Sequence, residues 1–140
     1  MRGVRTASGG PIPATAERVF AYLANPDRIP EWLPGCDGAH LEGPIAKGAV
    51  IQARFGPRVA GFEIIEHGPP SPLAWSERKQ RASSVLSFRL EAVEGGTMVT
   101  VGEAERAPSV LTAIWGFLRS RRTPHGRVES ILQRIQAARL

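Results

Sequence analysis

Residues 84–106 read Ser84-Val85-Leu86-Ser87-Phe88-Arg89-Leu90-Glu91-Ala92-Val93-Glu94-Gly95-Gly96-Thr97-Met98-Val99-Thr100-Val101-Gly102-Glu103-Ala104-Glu105-Arg106. Leu86, Phe88, Leu90 and Ala92 alternate with Ser87, Arg89 and Glu91. That period of two predicts a strand with one face buried and the other wet. Glu94-Gly95-Gly96 breaks the run, and Val99 and Val101 resume the period beyond it. A strand, a glycine turn and a second strand make an antiparallel hairpin.

The same texture runs back to Cys36. Strands are expected near 37–43, 49–55, 59–67, 73–81, 84–93 and 97–106. They are separated by Gly43-Pro44 with Lys47-Gly48, by Gly56-Pro57, by Gly68-Pro69-Pro70, by Arg81-Ala82 and by the Gly95-Gly96 turn. Each connection is a few residues long. No helical crossover fits between strands, so the sheet must be antiparallel.

Helical periods flank this block. Residues 4–12 read as a first strand interrupted by Gly9-Gly10. Thr15 suits an N-cap, although Arg18 stands where a capping box has Glu. Val19, Phe20, Tyr22 and Leu23 then recur at helical spacing. Asn25-Pro26 ends that helix, because a residue before proline avoids αR geometry. Asp27 is expected to cap a second short helix holding Ile29, Trp32 and Leu33, which Pro34-Gly35 stops. After Pro108 the segment from Val110 to Leu118 is apolar nearly all round, the mark of a buried helix. Pro124 cannot donate to the carbonyl of Ser120, so a kink or break is expected there. Beyond it Val128, Ile131, Leu132 and Ile135 form an apolar stripe, with Glu129, Gln133, Arg134 and Gln136 on the wet side. The expected fold class is α+β: a curved antiparallel sheet of about seven strands around a long C-terminal helix, with two short helices after the first strand.

The chain has 140 residues, which suits one domain over 1–140. Apolar residues make up 42% and charged residues 22%, ordinary for a globular protein. One cysteine, Cys36, allows neither an internal disulfide nor a cysteine zinc cluster. His40, His67 and His125 have no metal-ligand spacing, so no metal is expected, and no motif asks for a cofactor. The opening residues are basic with no apolar run behind them, unlike a secretory signal. No stretch approaches the roughly 18 apolar residues of a membrane span, so stable membrane insertion is not expected and the cytoplasm is the default location. Net charge is +5, with 16 Arg against 2 Lys. The arginines are spread from Arg2 to Arg139, and the dense run at Arg119, Arg121 and Arg122 lacks interleaved aromatics. No nucleic-acid partner is therefore expected. Monomer and homodimer are both compatible with the sequence.

The segment Ile12-Pro13-Ala14-Thr15-Ala16-Glu17-Arg18-Val19-Phe20-Ala21-Tyr22-Leu23-Ala24-Asn25-Pro26-Asp27-Arg28-Ile29-Pro30-Glu31-Trp32-Leu33-Pro34-Gly35 resembles the opening of the START-like (SRPBCC) superfamily. It is closest in pattern to the polyketide cyclase/dehydrase branch, which shares its fold with the birch pollen allergen family. Leu73-Ala74-Trp75 and the strand from Gly95 to Val101 fit the same pattern, so the resemblance runs from about residue 4 to 138. It implies the helix-grip fold and a cavity for a lipid, polyketide or similar hydrophobic ligand. It does not imply one activity, since this superfamily holds cyclases, lipid carriers and co-chaperones.

Parity sketches a cavity wall. If Leu86, Phe88 and Leu90 point inward, so do Val99 and Val101 on the last strand and Leu73 and Trp75 on the preceding one. Leu111, Trp115 and Leu118 share a helical face that would close the cavity from above. Trp32 could gate its mouth or simply plug the second helix onto the sheet. The same parity turns Glu77 and Glu103 inward. Desolvation there would raise their pKa and suit either to acid or base work, while twisted strand ends would leave both in water. Arg54 has the opposite parity and is expected to face water. Two functions fit: a carrier or binding protein for an apolar small molecule, or an aromatase/cyclase-type enzyme. An interaction module using the basic run is a third class.

Overall fold

The computed structural model describes residues 4–78, 83–105, 126–138 and 140. Among them, β1 (Val4–Ile12), β2 (Gly38–Leu41), β3 (Val50–Phe55), β4 (Arg58–His67), β5 (Leu73–Arg78), β6 (Ser83–Val93) and β7 (Gly96–Glu105) form one sheet. Its order is β1-β7-β6-β5-β4-β3-β2, and every pairing is antiparallel. Each strand lies beside its sequence neighbour except β1, which pairs with β7. Between β1 and β2 run α1 (Ala16–Ala24), a single 3-10 turn (Pro26–Arg28) and α2 (Ile29–Trp32). The chain's last helix is α3 (Gly126–Ala137), packed on β1, β7 and α2. This is the helix-grip arrangement expected.

Local chemistry sets the boundaries. Thr15 Oγ1 accepts from the Arg18 amide at 3.2 Å, capping α1 without help from a glutamate. Asn25 closes α1 and opens the next turn. Its amide donates to the Tyr22 carbonyl at 3.4 Å, and its Oδ1 accepts from the Asp27 amide at 3.0 Å. The expected Asp27 cap is thus corrected, since Asp27 lies inside the turn. Asn25 has the capping role because Pro26 occupies the first position, where a missing N–H matters least. At the β6–β7 hairpin Val93 pairs with Gly96, and Gly95 and Gly96 hold φ of 90° and 145°. A Cβ on Gly96 would collide with the Ile12 carbonyl.

The core lies on the concave face. Ile51, Phe62, Ile64, Trp75, Phe88 and Val101 are buried there beneath Val19 and Leu23 of α1, Ile29 and Trp32 of α2, and Val128, Ile131, Leu132 and Ile135 of α3. Gln133, Arg134 and Gln136 face outward, as the stripe predicts, but Glu129, expected on the same wet side, is half-buried with its Oε1 shielded from solvent. The strand at 84–93 departs from expectation. Arg89 and Glu91 are exposed, but Ser87 and Val85 on the same face are fully buried. Their neighbours Ala74, Ser76 and Ala104 are buried too. Both faces are therefore covered through the middle of β5, β6 and β7.

Candidate functional site

The register brings the expected wall together. Leu86 lies between Trp75 and Glu103, Phe88 between Leu73 and Val101, and Leu90 opposite Val99. Directly paired residues share a face, so these side chains form one surface. Its centre is an aromatic cluster. Trp32 sits 5.3 Å from Trp75 and 5.2 Å from Phe88, ring centre to ring centre. Trp75 lies 6.0 Å from both Phe62 and Phe88, edge to face. Trp32 is fully buried and plugs α2 onto the sheet. Leu90 stands at one end of the wall, where it borders a hollow of about 760 Å³ between the start of α1 and the β6–β7 hairpin. Leu111, Trp115 and Leu118, with the basic run at 119–122, lie outside the described residues.

The other end of the wall is polar. Glu77 pairs across to Ser84, and Glu103 to Leu86, so both glutamates follow the inward parity and both are buried. Arg127, in the first turn of α3, donates to Glu103 Oε2 and stands 3.9 Å from Glu77 Oε1. Arg58 on β4 reaches Glu77 Oε2 at 3.5 Å from its exposed position. Two carboxylates and two guanidiniums leave the cluster charge-balanced. The glutamates therefore meet cations as well as apolar groups, which the strand pattern could not reveal.

Among the described residues, buried polar atoms without a hydrogen-bond partner are Nε1 of Trp32 and of Trp75, Oγ of Ser84, and Oε1 of Glu66, Glu77 and Glu129. Buried polar groups are nearly always matched, by protein atoms or by ordered water. The remaining candidates are spent or remote. Arg54 is exposed, with its guanidinium close over Gly38. Cys36 Sγ donates to the Gly38 carbonyl at 3.3 Å, and burial pushes its thiol up, away from nucleophile behaviour. His40 meets Glu42 at 3.2 Å, and His67 packs edge-on against Phe20. Among the described residues no three or more His, Cys, Asp or Glu gather as metal ligands, and no helix is long and apolar enough to cross a membrane. Sequence reading missed Arg127, Arg58 and Ser84. One signal was available: an arginine in the first turn of a helix opposes the dipole, which asks for a tertiary partner.

Residues 7–135 match a family model described as polyketide cyclase / dehydrase and lipid transport. No curated protein matches the chain. Protein MLL2253 from Mesorhizobium loti is 17% identical over 96% of this chain and 95% of its own, with a TM-score of 0.65. Ara h 8.0201 is 16% identical over 96% of this chain and 97% of its own, with a TM-score of 0.62. The Aha1 dimer from Colwellia psychrerythraea is 18% identical over 84% of this chain and 89% of that one, with a TM-score of 0.59. At these identities the likeness is one of fold.

Proposed function

The chain belongs to the polyketide cyclase / dehydrase and lipid transport family, and from that premise we propose that it binds an apolar small molecule between the sheet and the C-terminal helix, as a carrier or binding protein. One observation carries the reading. Among the described residues the inner wall is apolar from Leu90 to Leu86, with Glu77 and Glu103 at one end and Thr97, whose hydroxyl donates to the Ala14 carbonyl, at the other. Sites for small ligands have this make-up, a mostly apolar surface with a few fixed polar groups. The proposed lining is Trp32, Trp75, Leu86, Phe88, Leu90, Val99 and Val101, joined by Leu111, Trp115 and Leu118. The proposed unit is one domain over 1–140, acting in the cytoplasm as a monomer or homodimer. Native mass spectrometry of the protein purified from cells tests this reading. A bound hydrophobic compound, or uptake of one on exposure, supports it; a protein that stays empty throughout rejects it.

The buried carboxylates favour a second reading, an aromatase/cyclase-type enzyme. In it Glu77 or Glu103 would move a proton on a substrate held in place by the wall. Turnover of a polyketide-like substrate that vanishes in Glu103→Gln would support this reading. Binding without turnover would leave the carrier.

A further inference from the structure

We propose that the hollow between the start of α1 and the β6–β7 hairpin is the mouth of the site, through which an uncharged apolar molecule reaches and leaves the inner wall at its Leu90 end. The inference rests on the carrier reading and adds the route that this reading leaves open.

The two ends of the wall differ in what an entering molecule would meet. At one end Arg127 donates to Glu103 and stands 3.9 Å from Glu77, which Arg58 meets at 3.5 Å. An apolar molecule passing there would part buried charges that it cannot solvate, and such a separation is strongly unfavourable. At the other end the inward row of β6 runs out to the surface: Phe88 is fully buried, Leu90 is 8% exposed and Ala92 is exposed. Alternate residues share one face of a strand, so this row is a continuous apolar track from core to solvent. It leads into the hollow of about 760 Å³, whose further apolar lining comes from Pro13, Ala14, Pro70 and Val93. That size suits a small organic molecule. The polar groups beside the track are already matched. Thr97 donates its hydroxyl to the Ala14 carbonyl at 2.7 Å, and the Leu90 amide donates to Ser71 Oγ at 3.1 Å. Thr15 Oγ1 is taken by the Arg18 amide. An apolar molecule entering here displaces water without breaking any of these bonds, whereas leaving a buried polar group unmet is costly. Glu17 and Arg18 stand at the rim as exposed neighbours of opposite sign. Their charges cancel, so the rim attracts neither an anion nor a cation, and an uncharged molecule fits it.

Stopped-flow binding of Nile red, an uncharged dye that brightens in apolar surroundings, tests the route on the intact chain. Ala92 is exposed and lines the hollow, and a tryptophan there suits a strand while narrowing the mouth. Ala92→Trp should slow association and dissociation alike, each by about tenfold, with the dissociation constant unchanged. Glu17→Trp, at an exposed position on the rim, should slow both in the same sense and serves should the first variant fold poorly. Val59→Trp, exposed and outside the hollow, should keep the native rates. Native rates in both Ala92→Trp and Glu17→Trp overturn the inference and leave the carrier reading standing, with the ligand passing elsewhere. Weaker binding at an unchanged association rate also overturns it, because the hollow would then hold the ligand rather than pass it. Equal slowing by Val59→Trp does the same, since the effect would not belong to the hollow. A native protein that takes up neither Nile red nor the smaller uncharged dye prodan rejects the carrier reading and this inference with it.

Discussion

Arg127 stands where its helix disfavours a cation, held there by Glu103 and Glu77. Breaking a buried ion pair from one side leaves an uncompensated charge and is far costlier than replacing the whole cluster by neutral groups. Arg127→Met should lower stability by about 3 kcal/mol, the low end of that range because the guanidinium is partly exposed. Adding Glu77→Gln and Glu103→Gln should restore most of the loss in urea unfolding. A triple variant no more stable than the single one would show that the cluster does not act as a unit. Gly96 gives a second test. An alanine there needs a strained φ and collides with the Ile12 carbonyl, so Gly96→Ala should cost more than about 1 kcal/mol. The inward glutamates were legible because residue parity is a local property of a strand. Their arginines were not, since Arg127 reaches them from 24 residues or more along the chain and no local pattern encodes that distance.

Elements meet through a few side chains that can be titrated or overloaded. Tyr22 joins α1 to α2: its hydroxyl donates to Glu31 at 3.3 Å, and Arg28 lies over its ring. Burial first, and the Glu31 carboxylate second, push its phenol up to about 12 from the usual 10.0. The folded state therefore holds this proton more tightly than the unfolded chain. The linked stability is fully present below pH 10 and is lost as pH rises towards 12. Tyr22 is the only tyrosine, so the alkaline rise in phenolate absorbance reports it alone. Glu31→Gln should lower that midpoint without returning it to 10, because burial remains. A midpoint near 10 in the native protein would break this account. The strands were legible to within a residue or two at most described ends, because period two and Gly-Pro punctuation act locally. The buried outer face of β6 was not. Ser87 looks like a wet position in sequence, yet it is fully buried and donates to the Gly102 carbonyl at 3.3 Å. Ser87→Arg should then destabilise by about 3 kcal/mol or more, whereas on a wet face it would be near neutral. Thermal melts of the two variants Ser87→Arg and Arg89→Ser separate the cases, since Arg89 lies exposed two residues further on.

At the scale of the whole molecule, the helix-grip plan was legible because three levels agreed: strand period, short connections and the motif from Ile12 to Gly35. What the grip holds was less legible, since apolar residues at inward positions serve core and pocket alike. Trp32, Trp75, Phe62 and Phe88 show this overlap, packed ring on ring with almost no exposure. A ligand settling on this wall adds contacts that the unfolded chain cannot make, so it must stabilise the fold by mass action. At a hundred times its dissociation constant it should add about 2.7 kcal/mol, a shift in Tm of roughly 10 °C for a chain of this size. The carrier and enzyme readings part at this point. If the wall only binds, Glu103→Gln should keep most of the ligand-induced shift, and no product should form with either protein. If Glu103 moves a proton, the variant should keep the shift and lose turnover that the native protein displays. A native protein whose Tm ignores oxygenated and plain hydrophobic probes alike would reject both, because catalysis on this wall needs the same binding step as carriage.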